Sequence, residues 1–179
     1  MGLIDEFAIR FREGIRATLF RVTGNIPKEK SDNQQRMFFI KAASMPASTS
    51  GVVEVPFLGR RIKLPGDRTF AEWTCTVMMD EDNQIRNDFE RWMDHIGSHS
   101  NIFQSSVFGA PDPGELRQDW NFEALKSDNL PNSNAVYTLK NCFPTEVGAA
   151  EFSYENNDTM VEFTVTLQYD YWTNAESTT

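Results

Sequence analysis

Histidine and cysteine are scarce, with two of each in 179 residues. Cys75 and Cys142 stand in strand-like runs without metal-type spacing, so both read as buried, reduced thiols that suit a cytosolic folding compartment. His95 and His99 lie four apart, but Gly97 and Ser98 intervene where the helix should end, and no third ligand is evident. Histidines near a helix C-terminus also gain from its dipole, so a structural role is the expectation. Long apolar runs are missing as well, which excludes a membrane-spanning helix. Met1-Gly2-Leu3-Ile4-Asp5-Glu6 has charges too early for a signal peptide, and Gly2 lacks the Ser or Thr of a myristoylation site. Positive charge thins out along the chain. Residues 71–179 carry five Lys/Arg against nineteen Asp/Glu, a balance of −14, whereas residues 1–70 carry twelve against seven, a balance of +5. The net charge of −9 argues against a nucleic-acid ligand, because phosphate neutralisation supplies most of that affinity. A two-signed division suits a chain that meets copies of itself, and an acidic half that merely keeps the surface soluble explains the numbers too.

Chemical motifs fail on inspection. Asp80-Glu81-Asp82-Asn83-Gln84 opens like a calcium loop, but Ile85 stands at the required glycine and Arg91 at the closing glutamate. Gly109 and Gly114 have P-loop spacing, yet Glu115-Leu116 replaces the Lys-Ser/Thr pair, and Pro111 and Pro113 remove amides that would hold phosphate. Asn157-Asp158-Thr159 is a glycosylation sequon by spelling only. No serine stands in a nucleophile elbow, and neither cysteine has a histidine nearby in sequence. The expectation is no enzyme, no cofactor and no metal.

What is present is strand alternation around one capped helix. Gly66-Asp67 reads as a turn, and from Phe70 the period is two: Trp73, Cys75, Val77 and Met79 share one face, Glu72, Thr74 and Thr76 the other. Asp80 and Asp82 offer N-cap oxygens to a helix over Asp82–Ile96, whose Ile85, Phe89, Trp92 and Ile96 recur at three-to-four spacing before Gly97. Trp73, Phe89 and Trp92 are the expected anchors of helix on sheet. Earlier, Leu3, Phe7, Phe11 and Ile15 predict a short N-terminal helix. Ala17–Thr23 and Arg36–Ala42 read as strands flanking a polar loop at 24–35, and Met45–Gly51 as a break after the second.

Gly51–Leu64 reads as a hairpin turning at Leu58-Gly59, with Arg60, Arg61 and Lys63 on its second arm and Arg68 close behind. Two readings are open: an edge strand protected by charge, or a basic arm docking on an acidic neighbour. Residues 98–134 are the least regular part, with a possible short helix around Asp119–Lys126 and either local structure or an oligomer contact expected there. Ala135–Phe143 reads as a strand ended by Pro144, and Glu151–Tyr154 as a short strand. In the last strand Val161, Phe163, Val165, Leu167, Tyr169 and Tyr171 share one face, and Glu162, Thr164, Thr166, Gln168 and Asp170 the other. The expected fold is a single domain over 1–179 with variable loops at 24–35 and 98–134. It is mainly antiparallel β, a sandwich or small barrel, with one main helix packed on the sheet and a short N-terminal helix.

Several of these stretches together resemble a known family. Arg60-Arg61-Ile62-Lys63, Gly66-Asp67-Arg68-Thr69-Phe70, Trp73-Thr74, Thr76-Val77-Met78, Phe143-Pro144-Thr145-Glu146-Val147-Gly148 and Asp170-Tyr171-Trp172 look like the tail tube protein of contractile-tailed bacteriophages of the T4 kind. Leu19-Phe20-Arg21-Val22 and Lys41–Ala47 fit the family's opening strands, whereas 24–35 and 98–134 depart from it.

The resemblance implies a structural virion protein, made in the host cytoplasm, whose subunits form hexameric rings with sheets joined into a barrel around a channel. Rings would stack into the inner tube within the sheath, with baseplate, tape measure and tail terminator proteins as partners. Double-stranded DNA would pass through without specific binding. Glu162, Thr164, Thr166, Gln168 and Asp170 are then candidates for the lumen face, the opposed reading being that this face points outward to water or sheath, and Arg60, Arg61, Lys63 and Arg68 are candidates for docking between rings. A polar, acidic lining repels phosphate within a Debye length of about 8 Å. A tube initiator or terminator, a secretion-system tube protein, and a monomeric acidic β-sandwich binding module are the alternative expectations.

Overall fold

Seventeen residues, Pro131–Val147, make one long strand (β7) that passes straight through Pro144 rather than ending there. The computed structural model describes residues 4, 6–7, 14–27, 39–97, 116–154 and 159–174. Proline is tolerated because the pairing shifts register between Pro144 and Glu146, at a bulge where no ladder hydrogen bond is demanded of it. The strand also bends at Asn141, whose φ of 59° is left-handed. Up to Cys142 β7 pairs with β6 (Gln118–Leu125) and β9 (Tyr171–Asn174); from Phe143 on, with β8 (Glu162–Gln168). One strand thus belongs to two layers.

The first layer adds β1 (Phe20–Gly24) against β6; the second adds β5 (Trp73–Met78) against β8 and β2 (Ile40–Ala43) against β5. The path is β1-β6-β7-β8-β5-β2 with β9 beside β7, every pairing is antiparallel, and the ends do not meet. The fold is therefore the expected mostly antiparallel β structure with one main helix, an open sandwich rather than a closed barrel.

The helix α1 (Gln84–Ile96) buries Ile85, Phe89 and Trp92. Asp80 accepts the N–H groups of Gln84 (3.1 Å) and Ile85 (3.3 Å), satisfying two donors that a helix start leaves open. Asp82 accepts from the Gln84 side chain (3.5 Å), and left-handed Asn83 is the boundary residue. Gly97 ends the helix in extended conformation, its N–H donating to the Met93 carbonyl.

Trp120 of β6 is fully buried where the layers and helix meet. Its ring lies 6.3 Å from Trp73, 6.4 Å from Trp92 and 6.1 Å from Phe89. Gly24 lies flat against it: a Cβ there would fall 2.3 Å from Trp120 Cδ2.

Several expectations are corrected. Residues 118–125 form a strand, not a helix, because Trp120, Phe122 and Ala124 alternate into the core. Gly66-Asp67 lies inside β4 (Arg60–Phe70), where Gly66 and Gly51 allow close strand approach, and a Cβ on Gly66 would sit 3.0 Å from Gly51 C. The strand expected from Phe70 is broken at Ala71-Glu72, Glu151–Tyr154 is loop, and β3 (Ser48–Phe57) starts inside the expected break. The final run splits at Tyr169-Asp170, so Tyr171 leaves the buried face. Most of the N-terminal helix, residues 28–38 and residues 98–115 lie outside the described residues.

Trp120→Ala should cost about 3–5 kcal/mol in urea unfolding, and Gly24→Ala about 1–3 kcal/mol through overpacking of the same ring.

Candidate assembly surfaces

The β3–β4 hairpin carries apolar surface that stays exposed among the described residues. Its register pairs Val53 with Leu64, Val55 with Ile62 and Phe57 with Arg60, so these six share one face. The opposite face carries Glu54 opposite Lys63 and Pro56 opposite Arg61. Neither face is covered: Phe57 is 61% exposed, Val53 51% and Ile62 50%, and Leu58 at the turn is 88% exposed. A two-stranded ribbon is marginal in water by itself, and one with a continuous exposed apolar face needs a partner.

The four basic candidates do not act alike. Arg61 donates to Glu54 at 3.0 Å, and Lys63 lies 3.9 Å from the same carboxylate. The two cations thus share one carboxylate within the hairpin, as in an edge protected by charge. Arg60 sits beside Phe57 on the apolar face and has no acidic partner among the described residues. Arg68 is at the root, where its Nη2 donates to Ser48 Oγ (2.9 Å) and its guanidinium lies over Phe70 and Trp172.

The second surface is the outer face of β5 and β8. Thr74 stands opposite Thr166 and Thr76 opposite Thr164, with the Thr74 and Thr166 hydroxyls 3.4 Å apart. Glu146 is in register with Thr166 and exposed. Glu162 is paired with Lys41 of β2. Gln168 closes the row at the β7 end. Asp170 is not part of it. It lies in the β8–β9 turn, accepting Asn141 Nδ2 at 2.7 Å and meeting Arg117 at 3.4 Å. Asp119 binds the other side of the same bend, through Lys140 Nζ (2.5 Å) and the Asn141 N–H (3.1 Å). The hydrogen bond to Asp119 raises the Lys140 pKa.

Trp73, Phe89 and Trp92 are all buried, but Trp120 is the ring that joins Trp73 to the helix pair. Its signal in the sequence was the alternation Trp120, Phe122, Ala124. The exposed apolar hairpin face had a signal too, in Val53, Val55 and Phe57. Alternation defines two faces without saying whether either is covered. A further apolar patch, Phe152, Tyr154 and Met160, lies exposed on the β7–β8 connection. Among the described residues no group of His, Cys, Asp and Glu could hold a metal, and no helix is long and apolar enough to cross a membrane. His95 is exposed in the last turn of α1, and His99 lies outside the described residues.

Comparison with known proteins gives one consistent result. The sequence model of a family described as phage tail tube protein matches residues 4–175. The tail tube protein gp19 of Enterobacteria phage T4 is 31% identical over 139 residues, covering 78% of this chain and 82% of that protein. The tail tube protein of Serratia phage KSP90 is 28% identical over 176 residues, covering 94% and 95%. A chain in the cryo-EM structure of an extracellular contractile injection system sheath-tube complex in the extended state matches with TM-score 0.55 and 14% identity, over 97% of this chain and 99% of that one. A chain of the anti-feeding prophage baseplate matches with TM-score 0.61 and 12% identity, over 91% and 97%. At these identities the likeness to the solved structures is one of fold.

Burial pushes the thiols of Cys75 and Cys142 up to about 12 from an ordinary 9.0. The unfolded chain releases these protons first, so stability is full below about pH 9 and falls as pH rises toward about 12. Urea midpoints should decline from pH 8.5 to 10.5, and less so in Cys75→Ala.

Proposed function

The chain belongs to the phage tail tube protein family, and on that premise we propose that it forms hexameric rings stacking head to tail into the inner tube of a contractile tail. As a member of that family it is a structural component of the virion tail. The observation that carries the assembly reading is the hairpin: a projecting ribbon whose apolar face, Val53, Val55, Phe57, Ile62 and Leu64, is left about half exposed among the described residues. A second copy is the occupant this requires. A hairpin seated on a different surface of the next copy makes a heterologous contact, and such contacts propagate into rings or filaments. Apolar burial drives the docking; Arg60 at the tip adds charge complementarity toward the acidic remainder of a neighbour.

The open edges support the ring. β1 and β2 end the strand path, each paired on one side only among the described residues. Pairing edges between copies removes a liability that an isolated sandwich keeps. A barrel built from many such sheets is too wide for side chains to fill and encloses water. The outer face of β5 and β8 then lines the channel for the genome and tape measure: Thr74, Thr76, Glu162, Thr164, Thr166 and Gln168, with Glu146 beside them. Short hydroxyls and carboxylates, with Lys41 held by Glu162, give phosphate nothing to bind. DNA slides past without specific contact. Sheath, baseplate and terminator proteins are the further partners of such a tube, and synthesis takes place in the host cytoplasm.

Purified protein viewed by negative stain should show long tubes; a monomer at high concentration would overturn the reading. The pair Phe57→Asp and Ile62→Asp should leave a folded subunit that halts at monomers or single rings. Arg60→Glu should shorten tubes, and Arg61→Glu less so, because Arg61 already serves Glu54. Tubes of normal length from the Asp pair would refute the hairpin contact. For the channel, a cysteine replacing Thr164 should be shielded from a bulky thiol reagent in tubes and open to it in subunits. Equal labelling of both would place that face outside.

A further inference from the structure

The hairpin is a lever with one fulcrum. Every residue of β3 is exposed, and so is β4 from Arg60 to Pro65. Body contacts gather at the root. Tyr169 Oη donates to the Ala47 carbonyl (3.4 Å) just before β3, and the Trp73 indole donates to the Ser44 carbonyl (2.6 Å). Between them, Arg68 lies with its guanidinium carbon 4.9 Å from the Trp172 centroid and 5.1 Å from that of Phe70, while Nη2 donates to Ser48 Oγ across the ribbon. Trp172 is itself held edge-on by Tyr137 (5.3 Å) and Phe70 (6.4 Å).

We infer that Arg68, stacked on Trp172, is the positioning residue that sets the angle at which the hairpin leaves the body. The chain of contact is specific. Arg68 belongs to the projecting ribbon and Trp172 to β9, so the stack ties the hairpin to the sandwich across a break at Ala71-Glu72 that no ladder bridges. Guanidinium suits the task because one planar group stacks on aromatic faces and still donates in its own plane. An ammonium cannot do both in the same way. Leverage makes the angle matter: Arg60 lies eight residues beyond Arg68, about 27 Å along a strand, so a tilt of about 10° carries the tip about 5 Å. That displacement exceeds what a packed contact tolerates. Arg68 thereby acts on docking through geometry, and its charge is spent on the ribs of its own subunit rather than on a neighbour.

The test reads angle directly, on subunits, and so stands apart from the tube reading. Spin labels are placed on Leu58→Cys at the tip and Asp94→Cys on the exposed side of α1, in a sample diluted with unlabelled protein. Cys75 and Cys142 are buried and stay unlabelled. The native background should give one narrow distance distribution. Arg68→Ala and Trp172→Ala should broaden or shift it, Arg68→Lys should fail to restore it, and Trp172→Phe should largely keep it. Amide exchange across Ser48–Ser50 and Thr69–Phe70 should rise about fivefold in Arg68→Ala, while α1 keeps its protection. If Trp172→Ala unfolds, Arg68→Ala alone decides. A folded Arg68→Ala with an unchanged distribution would overturn the proposal, as would full restoration by Arg68→Lys.

Discussion

The structure depends on the contact of one indole, Trp120, with three other aromatic rings and a glycine. Trp73 brings the second layer, Phe89 and Trp92 bring the helix, and Gly24 lets β1 lie against the ring's face. Aromatic rings in offset or edge contact add to the apolar area that they bury, so this junction is worth more than its separate parts. It also makes the three elements interdependent. A helix over 84–96 packs here because Trp120 supplies a surface that β5 alone lacks.

Around that junction the sandwich is made by bending strands rather than by stacking separate sheets. β7 turns at Asn141, and β8 gives way to β9 at the same level. Two carboxylates, Asp119 and Asp170, hold the corner from either side. Corners of this kind let one pair of strands serve both layers.

The hairpin has the opposite character. It has no core of its own, Arg61 and Lys63 share one carboxylate while Arg60 has no acidic partner among the described residues, and its apolar residues face solvent. The body holds the core, and the ribbon presents exposed apolar surface, which under the proposed assembly another copy would cover. A subunit built this way is complete as a fold and incomplete as a surface, which suits a component of a tube. The polar threonine face on the far side of the β5–β8 pair, with Lys41 engaged by Glu162, fits the same division.

Local pattern in the sequence determined a good deal. Period two gave the buried faces of β5 and β8, three-to-four spacing gave the helix, Asp80 gave its start, and Leu58-Gly59 gave the hairpin turn. These depend on neighbours a few residues apart, so they can be read without the fold. Residues 118–125 do not read as a strand because polar neighbours mask an alternation whose meaning comes from a distant partner, Trp73. Pro144 reads as a stop because a bulge that tolerates proline is a property of the pair, not of the strand. The four basic residues looked alike in sequence. Only tertiary structure separated Arg61 and Lys63, which are engaged by Glu54, from Arg60 at the tip and Arg68 on Trp172. Which face of a strand is covered, and by what, is decided by residues far away in the chain. Alternation alone names two faces and leaves their surroundings to the fold.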